Sequence, residues 1–330
     1  MIIILLFVLI ISMIGIKKAE KDNYLSKNQT NAIKGVMAIL IFLSHFNSQI
    51  TLENNTINSI YKLFFRIIDQ NMVVIFLFYS GYGIYVSYIN KKNYIKTFFK
   101  KRILKTLIHF DIAVLLFLLL DKIMNIKYSL KEIILAFTGW TSIGNSNWFI
   151  FVILSLYLIT WIIFSVLKNK KYNIHAISIL SIILIIILYF TKEKYFYNTI
   201  MCFPLGMYWG KYKDIIDKKL DKHYWLITFC VVISFAIMTF LRKNIIAYEI
   251  HSMLFCVIIL LITNKIEINN RILAFLGKYS FEIYILQRLS FIVFKGYINN
   301  TYLLLVISFL TTILLSIIYQ KLLKVVDKNY

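Results

Sequence analysis

Apolar runs long enough to cross a lipid bilayer recur along this chain from end to end, and no water-soluble fold has interior enough to bury them all. A hydrocarbon core of roughly 30 Å takes about 20 apolar residues per helix. Eleven candidate spans lie near 2-16, 35-50, 72-89, 107-120, 148-167, 174-190, 198-210, 224-241, 246-263, 279-297 and 301-320. In lipid every backbone polar group has to be satisfied internally, which leaves helices or closed barrels. One proline and ten glycines suit continuous helices rather than the alternating strands of a barrel. A hydrophobic content of 60% and a mean hydropathy of +0.75 agree. The expectation is an all-α, polytopic membrane helical bundle with about 11 transmembrane helices. The longest connections, 51-71 and 121-147, are too brief and too mixed to fold alone, and neither a repeat nor a linker is visible.

A net charge of +22 raises the possibility of a nucleic-acid partner, but that would need the basic residues gathered on one soluble face. They alternate from side to side instead. If the first span runs outside to inside, the inner segments 17-34, 90-106, 168-171, 211-223, 265-278 and 321-328 hold 26 of the 37 basic residues, and the outer loops hold nine. That asymmetry fits the positive-inside rule with the N-terminus out and the C-terminus in. The first span, "MIIILLFVLIISMIGIKKAEK", lacks a basic lead and a small-residue cleavage site, so it reads as a retained anchor. Cys202, Cys230 and Cys256 fall in three different spans without CxxC spacing. Neither a disulfide framework nor a zinc site follows, and no metal ligand set is expected.

Polar residues inside the spans are the candidates for chemistry. In "NAIKGVMAILIFLSHFNSQI" (31-50), Lys34 and His45 are eleven residues apart. On a helix they differ by about 20° in azimuth and roughly 16 Å in height, so they share a face. Lys34 then lies at headgroup level and His45 about halfway across. Two roles are open to the imidazole: an interhelical hydrogen bond, or a base at the bottom of a pocket whose mouth carries a cation.

The stretch "NAIKGVMAILIFLSHF" resembles the first core helix of the acyltransferase family 3 membrane proteins, in which a basic residue precedes a histidine by ten others. Further stretches resemble the family in order: "FLFYSGYGIY" (76-85), "FFKKRILK" (98-105), "NSNWFIFVILSLYLI" (145-159), "FPLGMYWGK" (203-211) and "LGKYSFEIYILQRL" (276-289). The likeness runs from about residue 30 to 320. It implies residues 1-30 as an N-terminal transmembrane anchor and cytosolic linker, and 31-330 as a ten-helix acyltransferase domain. Two positions depart from the pattern. Lys34 replaces the commoner Arg, losing the bidentate fork, and Gln287 stands where many members have histidine.

What the resemblance implies is a membrane O-acyltransferase of the bacterial cytoplasmic membrane. It would move an acyl group, by expectation acetyl, from cytosolic acyl-CoA to a hydroxyl of a cell-surface or exported polysaccharide, or of a lipid-linked one. Acyl-CoA would be a donor substrate, with no cofactor bound permanently; the partners are that donor, the glycan and the bilayer, without nucleic acid. His45 would take the hydroxyl's proton as general base, or carry the acyl group covalently; both remain open. Abundant Ile, Lys and Asn also suit an AT-rich bacterial genome.

Lys34, Lys100, Lys101, Arg102 and Lys105 are the candidates for holding the donor's phosphates, although positive-inside charge alone would place such residues there. Ser80 either contacts the site or, with Gly81 and Gly83, lets helices approach closely. Gly206 and Gly210 read as a packing pair. Glu282, Gln287 and Arg288 share one span, with the latter two roughly 12 to 14 Å deep, near the level of His45. Arg288 either belongs to the site or pairs with Asp111 or Glu249. Asn145, Asn147 and Trp148 mark the outer mouth, where a glycan could bind, though Trp is also a common interface anchor. The competing function is a polysaccharide exporter or flippase without acyl-transfer chemistry. A transporter would be expected to show inverted repeats or paired broken helices, which the sequence lacks, and export would survive His45→Gln.

Overall fold

Apolar segments free of internal proline keep their backbone hydrogen bonds within themselves, and the computed structural model is accordingly a bundle of helices. It describes residues 1–20, 23–51, 56–167 and 172–328. The basic stretch 168-171, read above as an inner segment, lies outside the described residues, as do 21, 22 and 52–55 of the segments around them.

Helix α1 (Ile2–Met13) ends before Gly15, whose φ of +80° turns the chain. The turn feeds a short strand, β1 (Ile16–Lys18), which pairs antiparallel with β2 (Ile266–Ile268). This ladder of three residue pairs leaves the all-α class unchanged; three extended residues at a helix end are too few to show a period in sequence. Helix α2 (Lys27–Asn47) starts at Ser26, whose side chain accepts from the Gln29 amide. An amphipathic α3 (Thr56–Ile68) then turns at Asp69, with φ of +45°, into α4 (Asn71–Asn90). Helix α5 (Tyr94–Phe98) passes through a π-helical turn (Phe99–Leu104) into α6 (Lys105–Ile123). In that turn the Lys105 amide bonds the Lys100 carbonyl five residues back. Helix α7 (Leu130–Phe137) opens on a capping box between Ser129 and Glu132.

There follow α8 (Trp148–Val166), α9 (Asn173–Thr191), α10 (Cys202–Lys211), α11 (Lys213–Leu241), α12 (Ile245–Lys265), α13 (Arg271–Lys278), α14 (Ser280–Phe294) and α15 (Thr301–Lys328). Among the described residues seven helical stretches are long and apolar enough to cross a membrane. The other four expected spans fall on α1, α2, α10 and α14. Three of these, with 12, 10 and 15 residues, are shorter than the roughly 17 residues a lone span needs. The fourth, α2, is long enough, but it opens on the polar run KNQTNAIK.

Two close helix contacts hold the site. A Cβ built on Gly35 of α2 would overlap the Leu273 carbonyl of α13, and one on Gly277 would overlap the Asn31 carbonyl. A Cβ on Gly81 of α4 would overlap the Phe203 carbonyl of α10, and one on Gly206 the Phe78 carbonyl. Such approaches are available only where side chains vanish. Gly83 has open space around it, so its expected packing role is not what the structure shows. Beside them Phe42 of α2 packs edge-on against Phe291 of α14 at 4.9 Å and against Phe309 of α15 at 5.0 Å, which fixes the register of α2 on α14.

Candidate active site

Lys34 and His45 share one face of α2, with Ala38 and Ile41 between them, and each end of that face opens differently. At the Lys34 end lies a cleft of about 630 Å³, lined by Lys27, Lys34, Lys101, Arg102, Lys105, Lys278 and Lys324 against the two acids Glu282 and Asp327. Seven cations against two anions make it a place for a polyanion. The π-helical turn matters here: the extra residue in the turn accompanies the presentation of Lys101 and Arg102 to the cleft. Lys100 lines an adjoining groove of about 990 Å³, shared with Lys101, Arg102 and Lys105. Lys105 is held by Asp327 at 2.6 Å, and the same carboxylate meets His109 Nε2 at 3.1 Å. Lys34 stands 5.8 Å from the centre of the Tyr79 ring.

Glu282 and Ser80 belong to this end of the site. Glu282 accepts from Gln320 Nε2 at 3.3 Å on the cleft wall. Ser80 shares a hydrogen bond of 2.8 Å with the Tyr157 hydroxyl, and Tyr157 in turn stands beside Arg102. Their contacts therefore lie with the cationic cleft rather than with His45.

Between the two ends runs a narrow apolar cavity of about 60 Å³, lined by Ala38, Ile41, Val73, Phe76, Phe149, Ile283 and Tyr284, which shares Ser280 and Phe281 with the cleft. Its Tyr284 ring lies 6.3 Å from the His45 ring and 5.6 Å from Phe149. Neither Tyr284 nor Phe149 stood out in the sequence, because an aromatic among so many carries no periodic signal.

His45 lies two residues before the end of α2 at Asn47. The imidazole is thus near the end of the helix away from Lys34. There Arg288 of α14 donates from Nη2 to His45 Nδ1 at 3.1 Å and reaches the Gly144 carbonyl from Nη1 at 3.4 Å. Arg288 thus pairs with neither Asp111 nor Glu249; Glu249 accepts instead from the Ile200 and Met201 amides at 3.0 and 3.1 Å. A guanidinium only donates, so Nδ1 accepts and the imidazole proton sits on Nε2. Gln287, beside Arg288 in sequence, turns away into the core and donates to the Tyr284 carbonyl at 3.2 Å.

The loop over this end is built by its own side chains. Asn147 Nδ2 donates to the Gly139 carbonyl at 2.8 Å, and Asn145 Oδ1 accepts from the Ile143 amide at 3.1 Å. Gly139 and Gly144 supply φ values of +72° and +90°. Asn147 and buried Asn145 are therefore committed to loop geometry. Trp148, half-buried, packs edge-on to Tyr195 at 6.2 Å, and Tyr195 neighbours Arg288.

The site therefore joins a cationic cleft, a small apolar cavity and a histidine at the far end of one helix face. The acyltransferase domain model of acyltransferase family 3 matches residues 28–321, nearly the whole chain, and the protein belongs to that family. Searches of curated proteins and of solved structures returned no match.

Proposed function

We propose that the protein is an O-acyltransferase that carries an acyl group, acetyl in the simplest case, from cytosolic acyl-CoA to a hydroxyl of a surface or exported polysaccharide. The observation that carries this reading is the order of environments along one face of α2: cations around Lys34, a small apolar cavity by Ala38 and Ile41, then His45. Acyl-CoA has the same order, with phosphates at one end, a slender arm, and the thioester at the other. The roughly 16 Å from Lys34 to His45 matches the reach of an extended arm of that kind.

In the step proposed, the sugar hydroxyl attacks the thioester carbonyl carbon while His45 takes its proton. The C–S bond breaks, the ester forms, and the proton passes to the departing thiolate. The basic bias supports an orientation with the Lys34 end in the cytosol, the N-terminus out, the C-terminus in and about 11 passages in total; the short α10 and α14 would cross only as parts of the packed bundle. His45, near the opposite end, would meet an acceptor from the other side. An exporter without acyl-transfer chemistry would keep working with His45→Gln, whereas this transfer would not.

Ester-linked acyl groups on surface glycans, compared between cells with the gene, without it, and with His45→Ala, test the reading. Acylation lost in both deficient strains is the expected result. Acylation that persists with well-expressed His45→Ala would remove the transferase mechanism.

A further inference from the structure

A guanidinium is a poor neighbour for an imidazole that has to collect a proton. With Arg288 donating to Nδ1 at 3.1 Å and the ring proton on Nε2, neither nitrogen of His45 has a free lone pair for an incoming hydroxyl. Moving Arg288 aside would not be enough. The imidazolium formed during transfer would still face a full positive charge at close range in a water-poor site, where like charges repel strongly. Arg288 is also incompletely satisfied: its Nε is buried without a hydrogen-bond partner, and its contact with the Gly144 carbonyl is long at 3.4 Å. Its ionisable neighbours include His45 and the hydroxyls of Tyr284 and Tyr195, and Glu193, the carboxylate nearest in this chain of contacts, bonds the Tyr195 hydroxyl. Arg288 is a half-buried cation at the end of the site away from the donor cleft, with donors to spare.

We propose that the acceptor carries an anionic group, a carboxylate or a phosphate, next to the hydroxyl that is acylated, and that Arg288 is the residue that recognises it. The planar fork of arginine fits either anion in two parallel hydrogen bonds. Bound there, the anion draws the guanidinium off Nδ1, opens that nitrogen to the hydroxyl proton and cancels the charge that would oppose the imidazolium. Before the acceptor arrives, Arg288 keeps the base occupied, which also protects the thioester from water. Trp148 and Tyr195 beside it offer ring faces for a sugar. This inference rests on the transferase reading and narrows its substrate class.

The test uses the purified full-length protein, with its cationic cleft filled by saturating CoA, and three probes: a tetragalacturonate, its carboxyl-reduced tetragalactose, and a glycerol phosphate oligomer. Binding of at least one charged probe should be about tenfold tighter or more than that of the neutral one, and which of the two is favoured identifies carboxylate or phosphate as the source. Arg288→Met should erase the preference, while Arg288→Lys, which keeps the charge without the fork, should retain part of it. Equal binding of charged and neutral probes by the wild type, or a preference that survives Arg288→Met, would overturn the proposal. Should Arg288→Met not fold, the wild-type comparison and the Arg288→Lys loss decide alone. The transferase reading is scored separately by surface ester in His45→Ala cells, so the two failures are told apart.

Discussion

At the scale of the residue, the proposed transfer divides the work between His45 and Lys34 by their position along one helix face. Replacing His45 by Ala removes the proton acceptor and should lower acyl transfer by roughly 10²- to 10⁴-fold with membrane insertion unchanged, as read by labelled acetyl transfer in membranes with matched protein levels. Lys34→Ala should act mainly on the donor, raising the KM for acyl-CoA, whereas Lys34→Arg restores a cation with a phosphate-matching fork and should match or improve on the native enzyme. An equal loss in both Lys34 variants would mean that the ammonium serves packing against Tyr79 instead. Both residues were legible in the sequence because an eleven-residue interval on a helix is a geometric statement that needs no tertiary information. Arg288 was legible as a candidate but its partner was not: the contact with His45 joins residues 243 apart in the chain. Ser80 and Glu282 were legible only as polar residues in apolar spans, and their places beside Tyr157 and Gln320 follow from packing that a single sequence does not reveal.

At the scale of the element, the position of the cleft depends on how closely α13 lies on α2. Gly35 and Gly277 bring the two backbones together at Leu273 and Asn31, and the same contact carries Lys278 and Ser280 to the cleft. Gly35→Ala should push the helices apart and cost about 1–3 kcal/mol, the usual range for overpacking, with a lower Tm in detergent and weaker use of donor. Gly83→Ala is the matched control. A Cβ there meets open space, and alanine gains up to about 1 kcal/mol of helix propensity, so Tm should hold or rise. Indistinguishable behaviour of the two variants would contradict the close α2–α13 contact. Element type was readable from apolar runs almost throughout, yet length was not. Helix α10 holds only 10 residues because a turn at 197–201 precedes it and the chain turns again at Tyr212, and α14 holds 15 because it starts after Tyr279 and ends at Lys295; hydropathy averages across such turns. The π-helical turn at Phe99–Leu104 has no hydropathy signal at all.

At the scale of the whole molecule, the proposed transfer has donor and acceptor meet from opposite sides of one membrane, so orientation is the property on which the proposal depends most. In the expected topology the basic residues divide 26 to nine between the two sides, and the cleft that gathers seven of them would lie at the cytosolic end. Single cysteines test this directly in a protein lacking Cys202, Cys230 and Cys256. Asn145 would be a natural site on the far side by sequence, but it is buried in its loop. Lys127, exposed in the same connection, is the better position there, and exposed Lys92 serves for the cleft side. A thiol reagent that cannot cross the membrane should label Lys127→Cys in intact cells, while Lys92→Cys should label only after the membrane is opened. The reverse pattern would put Lys34, Arg102 and the rest of the cleft outside, away from cytosolic acyl-CoA. It would also turn His45 and Arg288 toward the cytosol, where an exported glycan could no longer reach them from the far side.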